Sequence, residues 1–204
     1  MLLYTWQEAG KEGRLILSSG AKYNQINFSK NHVSGNARKI GVTFIWWFTI
    51  RTIKATIAVG KDSVAIFGLH MASNNYDICT IDEIDSENDN NSRYARYKEA
   101  QKYRCFQAEW TKYAVLNSQH PVIVMGDMND INGSSPLNIF KNSGLLDTWW
   151  EGGFGYGATF HEGWLRLRID HIYYNDKLKL KEVKVVETDL SDHNILVASF
   201  VFAN

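Results

Sequence analysis

The sequence predicts an α+β protein in which a few helices cover a largely antiparallel sheet assembly. Three observations lead to this class: short apolar runs rich in β-branched residues, turn residues that join two of those runs as a hairpin, and two segments with helical signals. The chain contains no repeat and no long linker. We therefore expect a single domain over residues 1–204.

Length and composition narrow the class further. The chain has 204 residues, of which 45% are hydrophobic, and a chain of this size buries a core without disulfides. These values exclude disordered, collagen-like and disulfide-scaffold proteins. The 22 Lys and Arg residues balance 22 Asp and Glu residues, which weighs mildly against strong, salt-dependent DNA binding but leaves local basic patches open.

No segment predicts export or membrane insertion. The longest apolar stretch, residues 40–50, is much shorter than the ~20 residues that a membrane-spanning helix needs. The N-terminal residues lack a basic region followed by a small-residue cleavage site, so a cytoplasmic location is the default expectation. Cys79 and Cys105 form an isolated pair and are expected to be free thiols.

In the first half of the chain, apolar runs predict strands. Residues 2–4 begin a buried strand that leads into Glu8. Residues 52–59 and 63–69 predict a hairpin, because a short polar Gly-Lys-Asp connection separates them. Residues 73–92, rich in Asp, Glu, Asn and Ser, predict a solvated surface insertion, since their acidic spacing matches no calcium-binding loop.

In the second half, two helices and four more strands are predicted. Residues 92–116 have helical periodicity. The aromatic residues of this helix, spaced three, four and three apart, are expected to face the core: Tyr103, Phe106, Trp110 and Tyr113. Residues 135–142 predict a helix with Ser135 as N-cap and Pro136 at its first position. The strands are expected at residues 121–125, 166–174, 178–186 and 195–202.

Polar side chains that are able to do chemistry recur where the apolar strands end. They are Glu8, His70, Asp127, Asn129, Asp170, Asp192 and His193. Each alone has a structural explanation, such as a turn aspartate for Asp127 or a buried core histidine for His70. Because a strand end holds a side chain rigidly at a solvent-accessible rim, the whole set in one small domain predicts a functional site.

Four short motifs occur in a fixed order along the chain: Trp-Gln-Glu-Ala-Gly at 6–10, Gly-Asp-Met-Asn-Asp at 126–130, Arg-Ile-Asp-His-Ile at 168–172 and Ser-Asp-His-Asn at 191–194. Together with His70, this pattern resembles the endonuclease/exonuclease/phosphatase superfamily, the deoxyribonuclease I-like proteins. The glycine-rich segment 153–160 resembles an uncharacterised bacterial subgroup.

The resemblance implies a fold and a class of reaction. The implied fold is a four-layer α/β/β/α sandwich with the site where strands from both sheets converge. The family's usual first strand, which carries a metal-binding Asn, has no counterpart here, so we expect an N-terminally shortened variant. The implied activity is metal-dependent hydrolysis of phosphodiester or phosphomonoester bonds.

The resemblance also implies a metal site. Glu8 matches the family's metal-binding glutamate, and Asp192 matches an acidic residue at or near the metal. Mg²⁺ is the expected ion, with Mn²⁺ as a substitute, because Mg²⁺ prefers oxygen ligands and is usually held by one or two carboxylates plus substrate phosphate. Sharing one ion requires Glu8 and Asp192 to lie within reach of each other.

The catalytic residues follow from the same match. Asp170 corresponds to the carboxylate that orients the imidazole of His193, and His70 and Asn129 correspond to groups that contact the phosphate. An imidazole with a pKa of ~6.5 accepts a proton near neutral pH, which favours His193 as the base. Asp127 is the other candidate for that proton, and the resemblance leaves the choice between them open.

Substrate and catalytic competence stay open at this point. Nucleic acid, a phospholipid headgroup and a small phosphoester all fit the family, and exposed aromatic residues would stack on bases if they line the rim. The aromatic candidates are Trp149, Trp150, Phe154 and Trp164, for which ordinary packing is the simpler interpretation. The alternative is a catalytically impaired member that acts as a binding or structural module. No oligomeric state is predicted.

Overall fold

The structure, a computed structural model, describes residues 3–9, 12–19, 39–47, 50–74 and 89–203, with side chains for 52–74 and 94–203. In chain order the elements are β1 (Leu3–Ala9), β2 (Glu12–Ser19), β3 (Lys39–Trp47), β4 (Ile50–Val59), β5 (Asp62–His70), α1 (Asp89–Leu116), β6 (Val122–Asp127), α2 (Ser135–Asn142), β7 (Leu146–Asp147), α3 (Thr148–Gly152), β8 (Phe160–Glu162), β9 (Leu165–Leu167), β10 (Asp170–Tyr174), β11 (Leu178–Val186) and β12 (Ile195–Phe202).

Two larger sheets and one small hairpin contain these strands. One sheet has the order β1-β2-β12-β11 and is antiparallel throughout, and the other has the order β3-β4-β5-β6-β10-β7. Within the second sheet, β5 and β6 are parallel neighbours. Because parallel neighbours need a crossover, the long segment containing α1 connects them. The predicted α+β class is confirmed by this arrangement.

The two sheets pack face to face. Alternate residues of β5 point to opposite faces, so Val64 and Ile66 join one buried cluster and Ala65 and Phe67 join another. The first cluster also contains residues of β12, such as Leu196, and therefore lies between the sheets. The second contains residues of α1 and α2. Its helical members are Ala108, Val115, Leu137 and Phe140.

Three layers of the predicted sandwich are therefore present: the four-stranded sheet, the six-stranded sheet, and the helices α1 and α2 on the outer face of the latter. A helical layer over the outer face of the four-stranded sheet is not found in the part of the chain that the structure describes. The fourth layer stays a prediction.

The predicted hairpin is confirmed as β4 and β5. Val59 pairs with Asp62, so the turn has only two residues, Gly60 and Lys61. Gly60 has a φ of +62°, in the left-handed region that glycine adopts without steric cost. The apolar stretch at residues 40–50 forms most of β3, which pairs with β4.

The expectation that the aromatic residues of α1 face the core is wrong. Phe106 and Tyr113 are 54% and 70% exposed, and Tyr103 and Trp110 are half-buried. The buried residues of the helix are mostly small or polar: Ala100, Arg104, Gln107, Ala108, Thr111 and Val115. Small residues let the helix approach the sheet closely. Arg104 and Gln107 bond to neighbouring loops, and the Thr111 hydroxyl donates to the Gln107 carbonyl oxygen within the helix. The helix also begins at Asp89, three residues earlier than predicted.

Two other boundaries differ from the prediction. The single strand predicted at residues 166–174 is divided into β9 and β10, because the backbone N–H groups of Ile169 and Asp170 bond to the Thr159 hydroxyl. The helix predicted at 135–142 is confirmed as α2, but its N-cap is Ser134 rather than Ser135.

Some predicted features fall outside the described residues. Residues 75–88, most of the predicted acidic insertion, and Cys79 are among them. Cys105 is a free, half-buried thiol. No helix among the described residues is both long and apolar enough to cross a membrane.

Candidate active site

Three neighbouring strands end side by side at one edge of the six-stranded sheet. The register pairs His70 at the end of β5 with Asp127 at the end of β6, and pairs Asp127 with Asp170 at the start of β10. The Nε2 atom of His70 lies 3.7 Å from Oδ2 of Asp127. The strand pairing itself therefore brings three of the predicted site residues together.

Asp170 and His193 form a tightly bonded pair at this edge. The Nδ1 atom of His193 lies 2.7 Å from Oδ2 of Asp170, and the Asp170 side chain is 1% exposed. A carboxylate accepts the proton of Nδ1–H, so the pairing leaves Nε2 as the ring nitrogen that can accept a proton. Phe160 contacts the His193 ring edge-on, with 5.2 Å between ring centroids, and restricts its orientation.

The surroundings of His193 favour its protonated form. Burial alone lowers its pKa, but the hydrogen bond and charge of Asp170 and the charges of Asp127 and Asp192 outweigh burial, so the pKa lies above the ordinary 6.5. A raised pKa means that the imidazole binds a proton more strongly. Three carboxylates therefore strengthen the affinity of the His193 imidazole for a proton.

The pKa of Asp127 is also raised, and for a carboxyl group this favours the neutral form. Burial and the negative charge of Asp170 raise its pKa to about 7, although His193, the backbone N–H of Asn129 and Arg104 act to lower it. An aspartate with a pKa near neutrality exchanges protons at the pH at which hydrolases commonly work. Asp127 thus stays a candidate, beside His193, for the group that takes the proton of water.

Replacing Asp127 by Asn is expected to stabilise the metal-free protein at high pH. Because the folded-state pKa is raised, the stabilisation from protonated Asp127 is fully present below the unfolded value of 3.8 and is lost as the pH rises through about 7. The neutral amide avoids this loss. Thermal unfolding in EDTA should show a larger gain in Tm at about pH 8.5 than at about pH 5, with about 2–4 °C for each ~1 kcal/mol. A gain that does not vary with pH would contradict the raised pKa.

The loop after β6 explains the spacing of the Gly-Asp-Met-Asn motif. Gly126 has a φ of +143°, and a Cβ there would overlap the carbonyl oxygen of Leu69, so only glycine fits. Asn129 has a φ of +50° and donates its backbone N–H to Oδ1 of Asp127 at 2.8 Å. Asn is one of the few side chains that tolerate this conformation.

The Asn129 amide has a different set of partners from the phosphate contact that the resemblance implies. Its Nδ2 donates to the Met71 carbonyl oxygen at 2.9 Å and to Oδ2 of Asp127 at 3.2 Å. An amide nitrogen has two protons, and both are used here. In this structure Asn129 therefore orients Asp127 and ties the loop after β6 to the loop after β5.

Asp192 lies on the loop that leads into β12. Its carbonyl oxygen accepts from the backbone N–H of His161 at 2.9 Å, and Oδ1 accepts from the Ser191 hydroxyl at 3.2 Å. Its charge contributes to the raised pKa of His193. Asp192 thus lies close enough to His193 for its charge to act on the imidazole, and its role as a metal ligand stays a prediction.

The structure does not bring Glu8 to this cluster. Glu8 pairs with Gly13 of β2, and β2 runs antiparallel to β12 so that Leu15 lies opposite Phe200, near the C-terminal end of β12. Asp192 precedes the N-terminal end of the same strand. Because the eight residues of β12 span seven intervals of ~3.3 Å, its ends are roughly 23 Å apart. The backbone of Glu8 is therefore too distant from Asp192 for the two residues to share an ion in this pairing.

Apart from Glu8, the predicted site has carboxylate oxygens that suit a hard divalent cation. Asp127, Asp170 and Asp192 all act electrostatically on the same imidazole, and Asp170 repels the charge of Asp127. A cation at this edge would relieve that repulsion. No group of three or more His, Cys, Asp or Glu side chains able to hold a metal exists among the described residues. Mg²⁺ sites commonly use only one or two carboxylates.

Two buried ion pairs that support the site were not predicted. Arg168 bonds both oxygens of Asp147, at 3.1 and 2.9 Å, and Nη1 of Arg168 lies 3.1 Å from Nδ1 of His171. Arg104 pairs with Asp130 at 3.0 Å. Arg168 could have been noticed in the sequence because it stands before Ile-Asp in the third motif. Arg104 could have been noticed because it lies on a helix face whose other residues are mostly small.

The fold and this strand-end cluster define the class of protein. A model of the Endonuclease/Exonuclease/phosphatase family matches residues 12–193, and the chain belongs to that family. Members of the family hydrolyse phosphate esters. The matched range includes Asp192 and His193 and leaves out Glu8.

Solved structures agree with this fold. A functionally unknown conserved protein from Enterococcus faecalis V583 has a TM-score of 0.61 and 12% identity over 82% of this chain and 68% of that one. Humanized D. rerio TDP2 has a TM-score of 0.57 and 14% identity over 80% and 67%. A Bacteroides thetaiotaomicron VPI-5482 mannosyl-6-phosphatase has a TM-score of 0.52 and 16% identity over 81% and 67%. No curated protein matches the chain in sequence.

Proposed function

We propose that this protein is a divalent-metal-dependent phosphoesterase whose favoured base is His193, held by Asp170, with Asp127 as the other candidate. One observation carries the proposal: adjacent strand ends place His70, Asp127 and Asp170 in line, and Asp170 holds His193 at 2.7 Å. Membership of a family of phosphate-ester hydrolases supports the same reaction.

The residues have distinct roles in this reaction. Water attacks the phosphorus atom, and Nε2 of His193 or the carboxylate of Asp127 takes its proton. The P–O bond to the ester group breaks, and the leaving alkoxide is protonated to the alcohol product. Asp170 keeps Nδ1 of His193 protonated and stabilises the imidazolium that forms. His70, whose side chain is 32% exposed, donates to a phosphate oxygen as charge develops on it. Asn129 holds Asp127 in position for its part in the transfer.

The proposed ion is Mg²⁺, with Mn²⁺ as a substitute. Asp192 would hold it, together with oxygens of the substrate phosphate and water. When bound, such an ion neutralises phosphate charge and polarises the P–O bond. Glu8 as a second ligand is implied by the resemblance, and the pairing of β1 with β2 opposes it.

Two substitutions test which carboxylate holds the metal ion. We expect Asp192→Asn to raise the Mg²⁺ concentration for half-maximal activity by about tenfold or more, because it removes a carboxylate from the ion. Glu8→Gln is the matched control, and the strand pairing predicts that it leaves this concentration unchanged. An equal rise in both variants would contradict the β1–β2 pairing and support a shared ion.

The substrate class is proposed from the rim of the site. Trp149 is buried and donates Nε1–H to the Gly155 carbonyl oxygen, which makes it a packing residue. Trp150, Phe154 and Trp164 are 66%, 96% and 91% exposed. We propose that these exposed rings line the site, where they would favour an organic phosphoester over inorganic polyphosphate and would suit a nucleotide, a sugar phosphate or a lipid headgroup.

A panel of substrates distinguishes these classes. It contains bis-p-nitrophenyl phosphate, p-nitrophenyl phosphate, single-stranded DNA, mannose 6-phosphate and sphingomyelin vesicles, each with Mg²⁺. Hydrolysis of at least one of them by the wild-type protein, with loss in the Asp170→Asn variant, is expected. No hydrolysis of any member would contradict the proposed function.

A second candidate is a binding or structural module without catalysis. The remote position of Glu8 favours it, because it leaves the ion with fewer protein ligands than the resemblance implies. In a module of this kind, binding of a phosphoester would persist and His193→Ala would have no measurable effect on it. Turnover by the wild-type protein excludes this candidate.

A further inference from the structure

Two loops carry or adjoin the proposed catalytic groups. We call residues 71–74, after β5, the His70 loop, and residues 128–131, after β6, the Asn129 loop. Because the two strands are parallel neighbours, the loops leave the sheet side by side. The position of His70 relative to Asp127 and Asn129 therefore depends on how the loops are held together.

Arg104 of α1 contacts both loops. Its Nε donates to Oδ2 of Asp130 in the Asn129 loop at 3.0 Å. Its Nη1 donates to the carbonyl oxygen of Ala72 at 2.8 Å and to Oδ1 of Asn74 at 3.0 Å, both in the His70 loop. The Arg104 side chain is fully buried, at 0% exposed. A planar guanidinium makes these bonds in fixed relative directions, which an ammonium group does not.

The surrounding contacts complete the connection. One turn further along α1, Gln107 accepts the N–H of Ala72 at 3.0 Å, so the helix bonds both backbone groups of that residue. On the other side, the Asp130 carbonyl oxygen lies 3.2 Å from Nε2 of His171 in β10. Asn129 bonds Met71 directly at 2.9 Å. Every one of these bonds joins a site loop to a helix, a strand or the other loop.

Burying an ion pair such as Arg104–Asp130 carries a desolvation cost that can exceed its Coulombic gain, so stability alone does not explain the pair. We propose that Arg104 is a positioning residue that fixes the His70 loop against the Asn129 loop and so sets the distance between His70 and Asp127. The inference rests on the proposed function for its catalytic part. The coupling of the two loops is independent of that function.

The experiment compares Arg104→Lys with Val115→Ala, a change at another buried position of α1 that lies about three turns further along the helix and takes part in none of the hydrogen bonds described above. Lysine keeps the charge but has no planar fork. We expect Arg104→Lys to speed hydrogen exchange in residues 71–74 and 128–131 while leaving β5 and β6 protected. We expect kcat to fall about 10- to 100-fold with little change in KM, because a small displacement of reacting groups acts on the chemical step. Val115→Ala should lower Tm without either effect.

A double-mutant cycle gives the second readout. If Arg104 acts through the Asn129 loop, Asn129→Ala will cost less activity in the Arg104→Lys background than in the wild type. Additive losses would overturn the inference. Asp130→Asn, a nearly isosteric change, removes the same ion pair and replaces Arg104→Lys if that variant does not fold.

The outcomes separate the two proposals. Unchanged exchange in both loops, or a uniform increase over the whole chain, overturns the positioning role even if the enzyme is active. Unchanged kcat in a folded Arg104→Lys variant overturns it as well. If the wild-type protein hydrolyses no phosphoester, the proposed function fails, and hydrogen exchange alone then decides whether Arg104 couples the loops.

Discussion

His193→Ala is expected to lower kcat/KM for a hydrolysed phosphoester by about 10³- to 10⁴-fold, the largest effect of any single substitution in this protein. The imidazole is held by Asp170 at 2.7 Å with Nε2 left to accept a proton, and Asp127, Asp170 and Asp192 raise its pKa. Alanine removes the acceptor and the cation that would form. Initial rates at saturating Mg²⁺ measure the effect.

The matched control for this prediction is His120→Ala. His120 is exposed in the turn before β6, and the same substitution there removes an imidazole that touches no site residue. It should retain wild-type rates. If His193→Ala keeps more than about a tenth of wild-type kcat/KM while folded, His193 is not the base, because general bases contribute at least ~10²-fold.

Asp170→Asn is expected to lower kcat/KM by about 10²- to 10³-fold, the second largest effect. The amide does not stabilise the imidazolium of His193, and its N–H₂ group favours the tautomer in which Nδ1 accepts and Nε2 is protonated. The base is then presented in the wrong form. Its structural role should be preserved, because the N–H of Asp170 bonds to Thr159 through the backbone, which the substitution leaves in place.

The same variant has a pH signature. Asp170 raises the pKa of His193 and also that of Asp127, so its neutralisation lowers both. The acidic limb of the kcat/KM profile should therefore move to lower pH, whichever of the two groups takes the proton. Asp176→Asn, an exposed position just beyond the other end of β10, is the control and should leave the profile in place. A shift to higher pH in Asp170→Asn would contradict this assignment.

Much of the site could be predicted because its residues follow strands that are themselves easy to recognise. Residues 122–125 are apolar without interruption, and a run this short and rich in β-branched residues favours a buried strand that ends at Gly126 and Asp127. The parallel pairing of β5 with β6 then fixes His70 beside Asp127 without further information. Local sequence therefore predicted where the strands end and which polar residues follow them, and the strand pairing brought those residues together.

The rest of the site depends on contacts between distant segments, which residue types alone do not specify. Both the aromatic face and the small-residue face of α1 have helical periodicity. The small-residue face is the buried one, and its contacts include the bond from Arg104 to Asp130, which links segments far apart in the chain. The double role of Asn129 depends on Met71, far away in the chain. Glu8 lies in a strand as predicted, but the direction and register of its pairing with β2 cannot be read from its motif.

The most direct measurement of the central proposal is phosphoester hydrolysis in ¹⁸O-labelled water by protein stripped with EDTA and then supplied with Mg²⁺. We expect no turnover of bis-p-nitrophenyl phosphate after stripping, recovery with Mg²⁺ or Mn²⁺, and ¹⁸O in the phosphate-containing product, because water attacks phosphorus. Turnover that does not depend on the ion, label in the p-nitrophenol, or the absence of turnover over the whole substrate panel would contradict it.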